Sequence, residues 1–175
     1  MEYKKIYFGG AFPFKYKEYS EDKLAGDYRA IILGGTKPLL KSPSAEFKFK
    51  RIKGKDNVFY AGPYYFYEEG TTARNIVKNE LQMVEDCTDA VFLLENTPCP
   101  GTITEVIHSS MIGKKVHIFY VKMPIDKGEP ENEIENQQWY SICFSQLVNS
   151  DNVTLQKCED REEAITKILT FIGSL

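Results

Sequence analysis

The sequence predicts an α/β protein, a single three-layer α/β/α sandwich built on a mainly parallel, flavodoxin-like sheet of about five strands. Three observations carry this expectation. Short apolar runs alternate with amphipathic stretches of about 10–16 residues, the pattern of parallel βαβ units. Two of the runs, AVFLL (90–94) and VHIFYV (116–121), are apolar without alternation, as strands covered on both faces are. Glycine and proline clusters punctuate the runs. With 175 residues and no linker, internal repeat or low-complexity tract, one domain over 1–175 is expected.

Each element has its own signal. KKIYFGGAF (4–12) is an apolar, aromatic-rich first strand that ends in Gly-Gly. The spacing of Leu24, Tyr28, Ile31 and Ile32 predicts a helix over 22–33, stopped by Gly34-Gly35. EFKFKRI (46–52) alternates strictly, GKD (54–56) is a turn, and NVFYAGPYYF (57–66) follows, so these two strands are expected to form a hairpin. Ile76, Val77, Leu81 and Val84 mark an amphipathic helix over 71–87. A strand over 89–95, a helix over 102–112 ended by Gly113, and the strand VHIFYV come next. The polar stretch 124–136 reads as a loop and 137–148 as a helix. NVTLQKC (152–158) is the last strand, and a closing helix over 160–172 turns Ala164, Ile165, Ile168 and Leu169 inward.

Composition excludes several function classes. Hydrophobic residues at 42% and charged ones at 27% are ordinary for a folded domain, so disorder is not invoked. A net charge of −3 argues against a nucleic-acid polymer as partner, since such binders concentrate positive charge. The basic stretch KFKRIKGK (48–55) reads as solvation of an exposed strand. No apolar run approaches the ~20 residues that span a bilayer. MEYKKIYFGG lacks the apolar core and cleavage site of a signal peptide. Cys87, Cys99, Cys143 and Cys158 are far apart, contain no CxxC pair, and have two histidines to help them. The expectation is a cytoplasmic protein with no metal, no cofactor, no disulfide framework and no membrane partner.

The stretch DAVFLLENTPCPGTITEVIHSSMIGKKVHIFYV (89–121) is where chemistry is expected. It reads as buried strand, stiff Gly/Pro loop, helix and buried strand, and ligands of open parallel sheets bind beyond the strands' carboxyl ends. Gly101 permits close approach, Thr102 can cap the helix, and backbone N–H groups at its start, with Asn96 in the loop, suit an anion or a sugar hydroxyl. Glu105 stands just inside this helix as base, nucleophile or cap. The last reading is concrete, because Thr102 to Glu105 matches the T-x-x-E capping box.

Two aromatic glycine segments, IYFGGAFPF and FYAGPYYFYEEG, offer a second feature. Gly9 and Gly10 can let a ring or sugar lie against the backbone, and Tyr7, Phe12, Tyr64 and Tyr65 can stack on a planar base. Each of these aromatics also suits a core or turn position. Glycine-rich dinucleotide and P-loop signatures are absent, as is a G-x-S-x-G elbow. Glu80 can reach the sheet edge one turn before Val84, whereas Asp89 opens a strand. His108 shares a helix face with Glu105 but reads as structural, and Cys99 lacks a partner base for nucleophilic work.

The segments IYFGGAF, NELQMVEDCTDAVFLLEN and PGTITEVIHSSMIGKKVHIFYV together resemble the nucleoside 2-deoxyribosyltransferase family, within a superfamily that includes the 2′-deoxynucleoside 5′-phosphate N-hydrolases. The tail WYSICFSQLVNSDNVTLQKCEDREEAITKIL is similar to that family's last helix, strand and helix. The match is strongest over 89–121. It implies that Glu105, the acid of G-T-x-x-E, is a nucleophile that traps the sugar's anomeric carbon as a covalent glycosyl-enzyme. It further implies a small nucleoside or nucleotide as partner and a homo-oligomer, with Tyr7, Gly9, Gly10, Phe12, Glu80, Asp89, Asn96, Gly101 and Thr102 around the substrate. The sugar then passes to a second base or to water.

The sequence departs from the family at named places. Glu80 stands for a helix aspartate, one residue further from Asp89 than usual, and Cys99 replaces a loop acid. Val106-Ile107-His108 replaces a small-x-Gly, and residues 36–56 have no clear counterpart. Lys15, Lys17 and Arg29 are candidate phosphate ligands, although each also reads as a solvated surface charge. Two alternatives follow: a nucleotide sensor without turnover, and a Toll/interleukin-receptor-like NAD glycohydrolase.

Overall fold

The computed structural model describes residues 3–11, 20–40, 49–65, 72–95, 100–121 and 150–175. In chain order its elements are β1 (Lys4–Gly9), α1 (Glu21–Ala25), α2 (Tyr28–Leu33), a 3₁₀ turn (Lys37–Leu39), β2 (Lys50–Arg51) and β3 (Val58–Gly62). Then come α3 (Ala73–Asp86), β4 (Asp89–Leu94), α4 (Pro100–Met111), β5 (Lys115–Val121), β6 (Val153–Cys158) and α5 (Arg161–Ser174). The sequence-predicted loop at 124–136 and helix at 137–148 lie outside the described residues.

The strands form one sheet in the order β2-β3-β1-β4-β5-β6. Five of them are parallel, as expected, and the two-residue β2 adds an antiparallel edge against β3. The predicted hairpin is present, Lys50 facing Tyr60 and Arg51 facing Phe59, and residues 46–48 of its predicted first strand lie outside the described residues. β4 is buried along its whole length, which explains its unbroken apolar run.

Register assigns the faces. Phe8, Val91 and His117 lie in one cross-strand row and so point to one side. On that side Phe8 meets the Tyr28 ring of α2 at 6.5 Å, and His117 meets Phe171 of α5 at 4.3 Å. The opposite side carries Tyr7 and Phe92, with ring centres 6.1 Å apart, under α3 and α4. This is the expected three-layer sandwich.

Local chemistry corrects one predicted helix. The stretch 22–33 is not continuous: it breaks at Gly26-Asp27, where Asp27 accepts from the Arg29 N–H at 2.8 Å and caps a second helix. Gly34, in a left-handed conformation with φ 74°, then ends α2. Ile31, placed inward by periodicity, is exposed, while Tyr28 and Ile32 are buried. Val77 of α3 and Leu169 of α5 face outward in the same way, since a helix resting on one sheet needs only a narrow apolar stripe. No helix among the described residues is long and apolar enough to cross a membrane.

Topology sets a switch point in the strand order. The chain leaves β1 through α1 and α2 to reach β3 on one side, then crosses through α3 to β4 on the other. β3 and β4 therefore flank β1 on opposite sides, and such a switch point is where open α/β sheets bind ligands.

Candidate functional site

Glu105 lies at this switch point, in the second turn of α4 behind β4. It is 7% exposed. Its carboxyl lies against the exit of β1: a side-chain carbon added at Gly9 would fall 3.0 Å from Glu105 Oε2 and 2.2 Å from the Phe92 ring. Gly9 is therefore the residue that gives the carboxyl its room. Gly10 follows with φ 138°, a conformation that favours glycine, and a side chain there would meet the Leu93 carbonyl oxygen at 2.7 Å.

A second carboxyl completes the pair. Glu80 of α3 faces Glu105 closely enough for each carboxyl to act on the other's ionisation, although the two are twenty-five residues apart in sequence. Burial raises the pKa of Glu105 well above the usual carboxylate range, and the charge of Glu80 raises it further. Burial also raises Glu80. The Arg29 guanidinium opposes both shifts. Two acids so placed titrate as a coupled pair.

Tyr7 projects from β1 towards the same carboxyl. Burial and then the charge of Glu105 push its phenol up. The hydroxyl lies close enough to Glu105 to influence its ionisation, yet meets no partner at full hydrogen-bond geometry. The Tyr7 ring is completely enclosed against Phe92, so it is no platform for stacking a base. Tyr64 and Tyr65 are likewise buried, which corrects the stacking expectation for them.

Three further sequence-based expectations change. α4 starts at Pro100, so Thr102 lies inside its first turn, and Glu105 turns to α3 and β1 instead of closing a capping box on Thr102. Thr102 is buried and Gly101 exposed at this helix start. Asp89 is not brought to the site. It sits at the opposite end and on the opposite face of the sheet, 3.4 Å from Lys4 Nζ and 3.8 Å from His117 Nε2. Burial pushes its carboxyl up, but the neighbouring His117 ring, Thr88 and the Lys4 ammonium bring it down to about 2.

Arg29, read as a solvated charge or a phosphate ligand, is fully buried. Asp27 binds its Nε at 2.7 Å and its Nη2 at 2.6 Å. The remaining donors reach Phe8 O at 3.3 Å, Gly10 O at 3.1 Å and Ala11 O at 3.4 Å. Tyr28 Oη donates to Gly9 O at 2.8 Å. Periodicity missed this cluster because charge is normally assigned to the surface. The available signal was Asp27 directly after Gly26, a helix-cap pattern two residues before an arginine. His108 pairs with Glu85 at 3.4 Å across α3 and α4. Phe12, Asn96, Cys99, Lys15 and Lys17 lie outside the described residues.

The arrangement offers a buried carboxyl that can serve as nucleophile or base, with a second acid beside it, at the sheet edge where ligands of such folds bind. Among the described residues no group of three or more His, Cys, Asp and Glu is placed to hold a metal ion. No protein-family model matches the chain, and no curated relative matches it. A solved structure of Clostridium botulinum CMP N-glycosidase, BcmB, aligns over 96% of this chain and 99% of its own length, with a TM-score of 0.50 and 14% identity. The likeness is one of fold.

Proposed function

We propose that this protein cleaves the N-glycosidic bond of a nucleoside or nucleotide, with Glu105 as nucleophile. One observation carries the reading: a glutamate buried at the switch point faces a second glutamate brought from another helix. Breaking the bond between the anomeric carbon and the base nitrogen builds positive charge on the sugar, and an adjacent carboxylate stabilises that charge. The fold's likeness to a CMP N-glycosidase agrees with a nucleotide as substrate.

The steps balance. Once Glu105 has passed its proton to Glu80, the Glu105 carboxylate bonds to the anomeric carbon while the base departs with the electron pair and takes that proton from Glu80. Water then attacks the same carbon, Glu105 leaves as carboxylate, and the water's proton returns to Glu80. A second base in place of water gives transfer. Two inversions give net retention. The Tyr7 hydroxyl is available to donate to the Glu105 carboxylate, and the Gly9–Gly10 turn forms the wall the sugar meets.

The test is base release from a panel of deoxynucleosides, nucleoside 5′-monophosphates and NAD, with and without a second free base, for wild type and Glu105→Ala. Base released by the wild type and lost in the variant is the expected result. A folded wild type that releases nothing from the panel overturns the reading, and release of nicotinamide alone reassigns it to NAD cleavage.

A further inference from the structure

The β1 exit is gripped from one side by three consecutive residues. Every carbonyl from Phe8 to Ala11 accepts a hydrogen bond from Tyr28 or Arg29, and Asp27 holds the guanidinium by a two-point fork. A planar guanidinium has five donors in fixed directions, so the fork to Asp27 determines where the others point. They point at the turn.

The other side of that turn is the bare backbone of Gly9, against which the Glu105 carboxyl rests. The turn is thus held between the Asp27–Arg29 ion pair and the carboxyl pair. Buried ion pairs survive where both partners are fully hydrogen-bonded, and this one places a fixed positive charge within electrostatic reach of Glu80 and Glu105. The groups acting most on Glu105 are Glu80 from α3, Tyr7 from β1 and Arg29 from α2, and Arg29 supplies the positive charge among them.

We propose that Asp27, Tyr28 and Arg29 form a clamp that positions the β1 exit turn against Glu105, with Arg29 acting through the turn and not by touching substrate. The proposal rests on the N-glycosidase reading for its consequence in catalysis, and on geometry for the clamp itself. It assigns Arg29 no part in phosphate binding, because its donors are directed at Asp27 and the backbone and its side chain has no exposure.

Full-length Tyr28→Phe, Arg29→Lys and Arg29→Gln are compared with wild type in two assays. One is base release; the other is a carbon NMR titration of the Glu80 and Glu105 side-chain carboxyls, which needs no activity. Arg29→Gln is expected to move the pair's titration to higher pH, and Arg29→Lys to restore part of that shift without restoring base release. Tyr28→Phe is expected to lower kcat about tenfold with KM within about twofold, the mark of a displaced nucleophile. An unmoved titration in folded Arg29→Gln, with unchanged kcat in Tyr28→Phe, overturns the proposal. If neither arginine variant folds, Tyr28→Phe decides by kcat alone. If wild type releases no base, the glycosidase reading fails by itself and the titration still decides whether Arg29 acts on the pair.

Discussion

Glu105 and Asp89 belong to the same β4–α4 unit, and burial pushes both carboxyls towards the protonated form. Their neighbours send them in opposite directions. At the amino end of β4, Lys4, His117 and Thr88 overcome burial and hold Asp89 down near 2. At the carboxyl end, Glu105 faces a second acid, and the Arg29 charge that opposes the shift is already committed to Asp27. One end of the sheet therefore uses its acid for stability and the other keeps an acid that costs stability. Such costs concentrate where chemistry is done.

The largest expected effect breaks the comparison at the Glu105 end. Glu105→Gln should reduce base release by at least about 10³-fold, as loss of a nucleophile does. The same change should leave the protein no less stable at pH 8 than wild type, by thermal melting. The sign follows from linkage. A carboxyl whose pKa is raised on folding stabilises the protein only while protonated, and that contribution is lost as pH climbs through the raised value. The stability advantage of Glu105→Gln should accordingly widen from the ordinary glutamate range upward.

Glu80→Gln is expected to lower kcat about 10²-fold, in the range for loss of a positioned proton carrier. Removing the neighbouring acid also lets Glu105 ionise more easily, so the acidic limb of the kcat/KM profile should move to lower pH. A limb that stays in place would show that the two acids do not titrate as a coupled pair.

The quiet end sharpens the contrast. Asp89→Asn should leave base release within about twofold while lowering stability by about 2 kcal/mol near neutral pH, from a carboxyl held near 2 instead of its ordinary value. Because this carboxyl is depressed, the contribution is present above the ordinary aspartate range and disappears as pH falls towards about 2. Urea denaturation at pH 7 and at pH 3 reads the difference. Lys4→Met should have the smallest effect, below about 1 kcal/mol, because one partner of that pair is partly solvent-exposed.

Much of the frame was legible in the residues. The unbroken run of β4, the Gly-Gly end of β1 and the spacing of Val84, Ala164 and Ile168 each reflect one local rule and appear where that rule puts them. Failures came where a local rule met a tertiary one. A helix cap at Asp27 divided a periodic stretch, and the T-x-x-E box at Thr102 yielded to a helix that begins at Pro100. Asp89 looked like a site acid because it stands in the most informative segment, yet a strand has two ends and motif proximity does not say which one bears the ligand.

The sequence by itself determined the class of fold and singled out Glu105, because both are written in short-range patterns: apolar periodicity, glycine punctuation and one acid after a stiff loop. Only the tertiary structure decided which acid joins Glu105 and which arginine lies beneath the turn. Glu80, Tyr7 and Arg29 come from three elements far apart in the chain. Their meeting depends on strand order and on which face each strand presents. A charged residue takes its role from the neighbours that burial forces on it.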